Sequence, residues 1–213
     1  MSSYPINVVI EGRRCLVVGA GRVAAQKAGG LLECRAAVTV VAPEIGDEVE
    51  ELIEQDHGGQ LTVERRRYRR GEVAGYRLAI TATDDSHLNR QVFMDGEAAG
   101  VWVNSADDPA NCAFTLPARI RQGELLVTFS TGGASPALAK WLRRRFTREF
   151  GPEYAELVRV LASERAERQA GGQETEGLDW QSALDSGMLD LIRSGRVAEA
   201  KGVLTTCLSS SSG

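Results

Sequence analysis

The sequence predicts an α/β fold: a parallel sheet wound on both faces, followed by a smaller α+β segment and a helical C-terminal part. Three observations carry this. Cys15-Leu16-Val17-Val18 is a short apolar run of β character that passes directly into Gly19-Ala20-Gly21-Arg22-Val23-Ala24, a G-x-G-x-x-A turn opening an Ala/Leu-rich helix. Strand and helix signals then alternate as far as Asn104, the pattern of repeated β-α units in a parallel sheet. From Pro152 onward only helical patterns follow.

The first strand is read over Arg14–Val18 and its helix over Val23–Leu32. Val38–Val41 is the second strand, with a helix over Glu44–Gln55, and Leu61–Glu64 is a third short strand. Leu78–Ala82 is a fourth, ending at Thr83-Asp84-Asp85, where a new helix begins at Ser86; Val101–Asn104 is the fifth. Cys112–Pro117 and Leu125–Ser130 read as two further strands around the turn Gln122-Gly123-Glu124. Ser135-Pro136 then offers an N-cap residue followed by a proline at the first helical position, so a basic helix is expected over Ala137–Glu149. Helices are expected over Glu153–Gln169, Trp180–Ser186, Met188–Ser194 and Val197–Cys207, with a loop at Gly171-Gly172 and a frayed tail over Ser209–Gly213.

Composition narrows the function classes. Of 213 residues, 43% are apolar and 25% charged, ordinary for a globular protein. A net charge of −4 argues against whole-chain nucleic-acid binding, the run Arg65-Arg66-Arg67-Tyr68-Arg69-Arg70 included. No apolar run approaches the ~20 residues that span a bilayer, and the first residues carry no signal-peptide pattern, so a cytoplasmic protein without membrane partners is expected. The cysteines at 15, 34, 112 and 207 form no C-x-x-C pair, and His57 and His87 are the only histidines, so no protein-built metal site is expected. Cys15 and Cys34, in apolar surroundings, read as small core residues.

Open α/β sheets bind ligands at the carboxyl ends of their strands, where the strand order reverses, and the candidate residues stand at such ends. In the first turn Gly19 permits the tight bend, Gly21 lets the backbone approach a pyrophosphate, and the helix behind it offers free N–H groups. Pro43-Glu44 follows the second strand, with Glu44 25 positions beyond Gly19. That acid reads either as a ribose-hydroxyl acceptor or as a first-turn helix residue, and the lack of an arginine immediately after it favours NAD over NADP. Thr83 and Asp84 lie where the nicotinamide half of a dinucleotide passes, with helix capping the competing reading for Asp84 or Asp85. Asp107, in Asn104-Ser105-Ala106-Asp107, reads either as a general base or as a turn residue before Asp108-Pro109. Ser130-Thr131-Gly132-Gly133-Ala134-Ser135-Pro136 opens a helix carrying Lys140, Arg143, Arg144, Arg145 and Arg148. These suit a polycarboxylate ligand or, alternatively, form a solvated basic face.

In that order the motifs Gly19-Ala20-Gly21-Arg22-Val23-Ala24 with Lys27, Ala82-Thr83-Asp84-Asp85 with Asn89, Asn104-Ser105-Ala106-Asp107, and Ser130–Pro136 resemble the precorrin-2 dehydrogenase/sirohydrochlorin ferrochelatase family, the N-terminal module of siroheme synthase. The resemblance covers about residues 4–150. It implies a Rossmann-type NAD domain over residues 1–112, a small α+β dimerisation and tetrapyrrole-binding domain over 113–150, and a helical C-terminal domain over 151–213. It also implies NAD-dependent oxidation of precorrin-2 to sirohydrochlorin, in several members with ferrous iron insertion, by an intertwined homodimer.

Carried over by position, Gly21, Arg22 and Val23 line the pyrophosphate and Pro43 with Glu44 the adenosine side. Asp107 matches the family's essential aspartate, and Thr131 falls where the family often has a serine close to the tetrapyrrole. Asn104, Ser130, Thr131, Gly132, Gly133, Ser135, Arg143 and Arg144 are the expected substrate contacts. Two other readings compete: an NAD-binding regulatory module, such as those gating ion transporters, and an NAD-dependent dehydrogenase of another substrate.

Overall fold

The computed structural model describes residues 3–56, 58–106 and 108–210. Its contacts divide the chain into two compact units, one over Tyr4–Leu116 and one from Pro117 onward.

The first unit alternates β1 (Arg14–Val18), α1 (Arg22–Leu32), β2 (Ala37–Ala42), α2 (Asp47–Gln55), β3 (Leu61–Arg65), β4 (Leu78–Thr81), α3 (Ser86–Ala99) and β5 (Trp102–Ser105). All five strands are parallel, in the order β3-β2-β1-β4-β5, so the direction of winding reverses between β1 and β4. The expected doubly wound sheet is present.

Strand alternation divides the core. Cys15, Val17, Val38, Val40 and Ile80 face α1 and α2, while Leu16, Val18, Val41, Ala79 and Val103 face α3. The buried positions of α1 are Ala24, Ala25, Ala28 and Leu31, mostly small side chains that let its axis lie close to the sheet. Burial on both faces explains why β1, β2 and β4 read as continuous apolar runs rather than alternating ones.

The open edge of β5 is covered by the chain itself. It returns antiparallel, with Ala113 N–H donating to the Val103 carbonyl at 2.8 Å and a bridge between Asn104 and Cys112. The basic segment after β3 is a structural clasp. Arg66 pairs with Glu64 and Glu72, Arg65 pairs with Glu50 at 2.6 Å, and the Tyr68 hydroxyl donates to Asp95 at 2.9 Å.

In the second unit β6 (Ala118–Gln122) and β7 (Leu125–Phe129) form an antiparallel pair joined by the two-residue turn Gly123–Glu124. The strand expected over Cys112–Pro117 is therefore displaced to Ala118–Gln122. The apolar residues Cys112, Ala113 and Phe114 belong to the β5 edge cover, whereas the hairpin strand carries Arg119 and Arg121 and shows only Ile120 as a buried apolar side chain. Next comes α4 (Pro136–Phe146), followed by α5 (Glu153–Ala170), α6 (Trp180–Asp185), α7 (Met188–Arg193) and α8 (Val197–Ser210). An aromatic ladder, Phe129–Phe146–Phe150–Tyr154, with ring centroids 5.7, 6.3 and 5.2 Å apart, ties β7 and α4 to the start of α5.

Helices α5 to α8 enclose their own core of Leu157, Val160, Ala183, Met188, Ile192, Ala200, Leu204 and Leu208. Within it Glu164 and Arg168 are paired at 2.8 Å with little exposure, and the Thr205 hydroxyl reaches the same carboxylate at 3.5 Å.

Two outcomes follow. Arg168→Met leaves the Glu164 carboxylate buried beside one weak donor and is expected to destabilise the second unit by roughly 2–3 kcal/mol, read from urea unfolding. Cys15 is fully buried, and that burial, helped by the neighbouring Cys34 thiol, pushes its pKa up to about 11. In the folded chain at pH 8 it should resist a thiol-specific reagent such as DTNB and become reactive only on unfolding, as mass mapping of the labelled cysteines would show.

Candidate functional site

The strand register brings the carboxyl ends together: Val18 pairs with Val41 on one side and with Thr81 on the other, and Thr81 with Ser105. The chain leaves β1 through Gly19, whose N–H donates to the Val41 carbonyl at 3.0 Å while Ala82 N–H donates back to Val18 at 2.9 Å. Gly19 has φ +109°, and a β-carbon there would lie 2.8 Å from the Ala82 carbonyl carbon and closer still to its oxygen. Only glycine fits this turn.

Two residues on, Gly21 is the N-cap of α1, is exposed, and has open space where a β-carbon would be. No side chain caps the helix, so its first-turn N–H groups stand free at the positive end of the dipole. Arg22 is exposed and Val23 half-buried in that turn. An open amide-lined helix start behind a glycine turn fits the pyrophosphate of a dinucleotide.

Pro43 and Glu44 lie exposed in the bend after β2. The expected helix start at Glu44 moves to Asp47, because Gly46 is the N-cap of α2 and a cluster of acids, Asp47, Glu48 and Glu50, fills the favourable first turn. This removes the first-turn reading of Glu44. Gly46 also binds the glycine turn: its N–H donates to the Ala20 carbonyl at 3.0 Å, and a β-carbon on it would lie 2.8 Å from that oxygen. Gly46 is a site-forming residue that the sequence reading passed over; a glycine directly before an acidic run was the available signal.

After β4, Asp85 rather than Asp84 caps α3, accepting from the N–H groups of His87 and Leu88 at 2.9 and 3.0 Å. Asp84 is exposed. Thr83 is fixed by Asn89: its hydroxyl lies 2.8 Å from Asn89 Oδ1, and its carbonyl accepts from Asn89 Nδ2 at 2.8 Å.

At the end of β5, Asn104 is buried, and its Nδ2 donates to the Phe114 carbonyl at 2.8 Å. Its amide thus holds the returning chain. Asp107 lies outside the described residues. Its neighbours are well defined: Ala106 N–H donates to the Thr81 carbonyl at 2.9 Å, and Asp108 accepts from Ala110 N–H and from Asn111 Nδ2.

In the second unit, the loop before α4 is held by its own hydroxyls. Ser130 accepts from Gly132 N–H at 3.3 Å, Thr131 from Ser135 N–H at 3.0 Å, and Ser135 from Leu138 N–H at 3.2 Å as the helix cap. Gly132 and Gly133 both have positive φ. Each hydroxyl accepts from the loop and keeps its proton for another acceptor. Lys140, Arg143, Arg144 and Arg145 are exposed on α4 and Arg148 just past its end, short of the expected Glu149, and none has an acidic partner among the described residues. Among the described residues no group of three or more His, Cys, Asp or Glu side chains is arranged to hold a metal ion, and no helix is long and apolar enough to cross a membrane.

A family model described as "Putative NAD(P)-binding" matches residues 6–118, spanning the whole five-stranded sheet. The chain belongs to this NAD(P)-binding family. It is also 35% identical to the siroheme synthase of Nitrosococcus oceani over 98% of its own length and 44% of the relative's. It is likewise 35% identical to that of Chromobacterium violaceum, over 94% of this chain and 43% of that one. The chain therefore spans a little under half the length of these curated relatives. Among solved structures it shares its fold with SirC, precorrin-2 dehydrogenase, at a TM-score of 0.67 and 24% identity, covering 96% of this chain and 98% of that one.

As the family turn depends on a missing side chain, Gly19→Ala is expected to destabilise the first unit by about 2–3 kcal/mol and to weaken NAD(P) binding at least tenfold. Thermal unfolding and fluorescence titration with NADH would measure both.

Proposed function

We propose that this chain oxidises precorrin-2 to sirohydrochlorin with NAD as acceptor, the first-unit turn binding the dinucleotide and the α4 loop of the second unit binding the tetrapyrrole. The observation that carries the reading is the amide-lined start of α1 behind Gly19, in a chain that aligns along nearly its full length with siroheme synthases. We keep the division into residues 1–112, 113–150 and 151–213 as a division of labour.

Bound NAD supplies a hydride acceptor. The chain supplies the rest. Gly21, Arg22 and Val23 hold the pyrophosphate through backbone amides, in the turn that Gly19 makes possible. Glu44, exposed at the end of β2 with Pro43 before it, accepts hydrogen bonds from the adenosine ribose, and a carboxylate there disfavours a 2′-phosphate, hence NAD rather than NADP. Thr83 and Asp84 border the nicotinamide side.

Oxidation removes a hydride and a proton from the macrocycle, and Asp107 takes the proton. The eight carboxylates of precorrin-2 match the cations of α4, which have no acidic partner among the described residues, with Arg143 and Arg144 as direct contacts and Ser130, Thr131, Gly132, Gly133 and Ser135 lining the approach. Insertion of ferrous iron into sirohydrochlorin is a second reaction that the same carboxylate serves, by removing pyrrole N–H protons, with iron as substrate. The exposed Leu138 and Trp141 of α4 support a homodimer, and a cytoplasmic location accords with the chemistry.

An anaerobic assay with precorrin-2 and NAD, followed by sirohydrochlorin absorbance, tests the reading. Asp107→Ala should lower turnover by at least 100-fold with NAD affinity unchanged, and the double change Arg143→Ala/Arg144→Ala should raise the KM for precorrin-2 about tenfold without altering NAD binding. Wild-type protein that forms no NAD-dependent product would sink the proposal. Ferrous or cobaltous ion added to sirohydrochlorin separately tests chelation.

A further inference from the structure

Asn89 is a poor helix former placed inside a helix. It lies in the first turn of α3, behind the Asp85 cap, and its N–H already donates to the Asp85 carbonyl at 3.0 Å. Its side chain is engaged by the loop before the helix. Nδ2 donates to the Thr83 carbonyl at 2.8 Å, and Oδ1 lies 2.8 Å from the Thr83 hydroxyl. A carbonyl only accepts, so Nδ2 must face it, and the hydroxyl is left as the donor to Oδ1. The Asp85 carbonyl, at 3.2 Å, is a second and longer acceptor for the same proton, and the hydroxyl oxygen itself accepts from Asp85 N–H at 3.2 Å.

These bonds decide what Thr83 can offer a ligand. Its hydroxyl proton and its carbonyl are both taken up by α3 and its cap. With the hydroxyl held there, the methyl of the β-branched side chain lies against the glycine turn, 3.1 Å from where a β-carbon on Gly19 would stand. Ala82 is fixed as well, because its N–H donates to Val18 and its carbonyl closes on Gly19. What remains open is backbone: the N–H groups of Thr83 and Asp84 have no acceptor among the described residues.

We infer that Asn89 is a positioning residue for the dinucleotide: it engages the Thr83 hydroxyl and holds the β4–α3 loop, with its open N–H groups, against the Gly19 turn to receive the nicotinamide half. The inference rests on the placement of that half at the end of β4 in the reading above. The adenosine half belongs to Pro43 and Glu44 at the end of β2, across β1 from this loop, where a separate bond from Gly46 to Ala20 does the holding. Removing Asn89 should therefore weaken binding of the nicotinamide end alone, because a loosened loop must be ordered when the ligand arrives.

Calorimetric titrations of the full chain with NADH and with ADP, which carries only the adenosine and diphosphate, test this in wild type, Asn89→Ala and Thr83→Val, with thermal unfolding alongside. Alanine suits a helix, so Asn89→Ala is expected to fold; Asn89→Leu, closer in size, is the second variant at that position. Both should bind NADH about tenfold more weakly, with ADP affinity within about twofold of wild type. Thr83→Val keeps the carbonyl bond and a methyl of the same shape, and should bind NADH within about threefold of wild type. Unchanged NADH affinity in the Asn89 variants overturns the inference. An equal loss for NADH and ADP, the mark of a generally loosened first unit, also overturns it. So does a Thr83→Val chain as weak as Asn89→Ala, which would make the hydroxyl a ligand contact. A wild-type chain that binds NADH without oxidising precorrin-2 overturns the proposed function and leaves the inference standing, whereas one that binds ADP and not NADH overturns the inference.

Discussion

The approach of the Gly19 turn to the Ala82 carbonyl is the constraint on which the first unit depends. Because β1 lies between β2 and β4, the chain leaving it must turn in the narrow space between their carboxyl ends. The hydrogen bonds of Gly19 to Val41 and of Ala82 to Val18 show how little room that leaves. Any side chain at position 19 would collide with the neighbouring backbone. Once the turn is closed, α1 must start directly above the sheet edge with its first amides uncapped, and Ala24, Ala25 and Ala28 allow it to settle onto β1 and β2. The anion-binding character of the site is thus a by-product of packing that the core requires in any case.

The same closeness organises the neighbouring loops. Gly46 bonds to Ala20, so the bend carrying Pro43 and Glu44 is drawn against the glycine turn rather than left to the start of α2. Asn89, from within α3, holds both the hydroxyl and the carbonyl of Thr83 and so fixes the chain just past β4. Both of these loops are held by a bond from another loop or helix. Such cross-bracing limits backbone motion where a ligand needs fixed donors, and lowers the ordering cost of binding.

Much of this was legible in the residues because the signals were local. The strand over Arg14–Val18, the G-x-G-x-x-A turn and the Ser135-Pro136 helix start each contain their own cause within a few positions, and the structure places all three as read. What escaped was non-local or ambiguous. Cys112–Phe114 has strand-like apolar character, but its pairing partner is β5 and not a hairpin mate, and nothing in the segment itself distinguishes the two. The polar strand over Ala118–Gln122 is defined by register with β7, with Ile120 its one buried apolar side chain. The roles of Gly46, Asn104 and Cys112 likewise lie in contacts with groups 4 to 26 positions away, which no periodicity encodes. For Asp84 and Asp85 the type of residue was informative but the register was not, and the cap fell to the second.

Buried polarity marks the functional edge independently of any motif. Along β4 and β5 the apolar run gives way at Thr81, Asn104 and Ser105, the last positions before the loops, and all three are buried. An unpaired hydroxyl or amide at such depth costs about 1–3 kcal/mol, so each needs a partner. The partners are present: Thr81 meets Ser105, Asn104 serves Phe114 and Cys112, and the described residues contain no buried side-chain nitrogen or oxygen without a hydrogen bond. A sheet stabilised by burial alone would carry valine or isoleucine at these points. Replacing three core positions with a closed polar network gives up hydrophobic stabilisation and gains fixed geometry at the carboxyl end of β5.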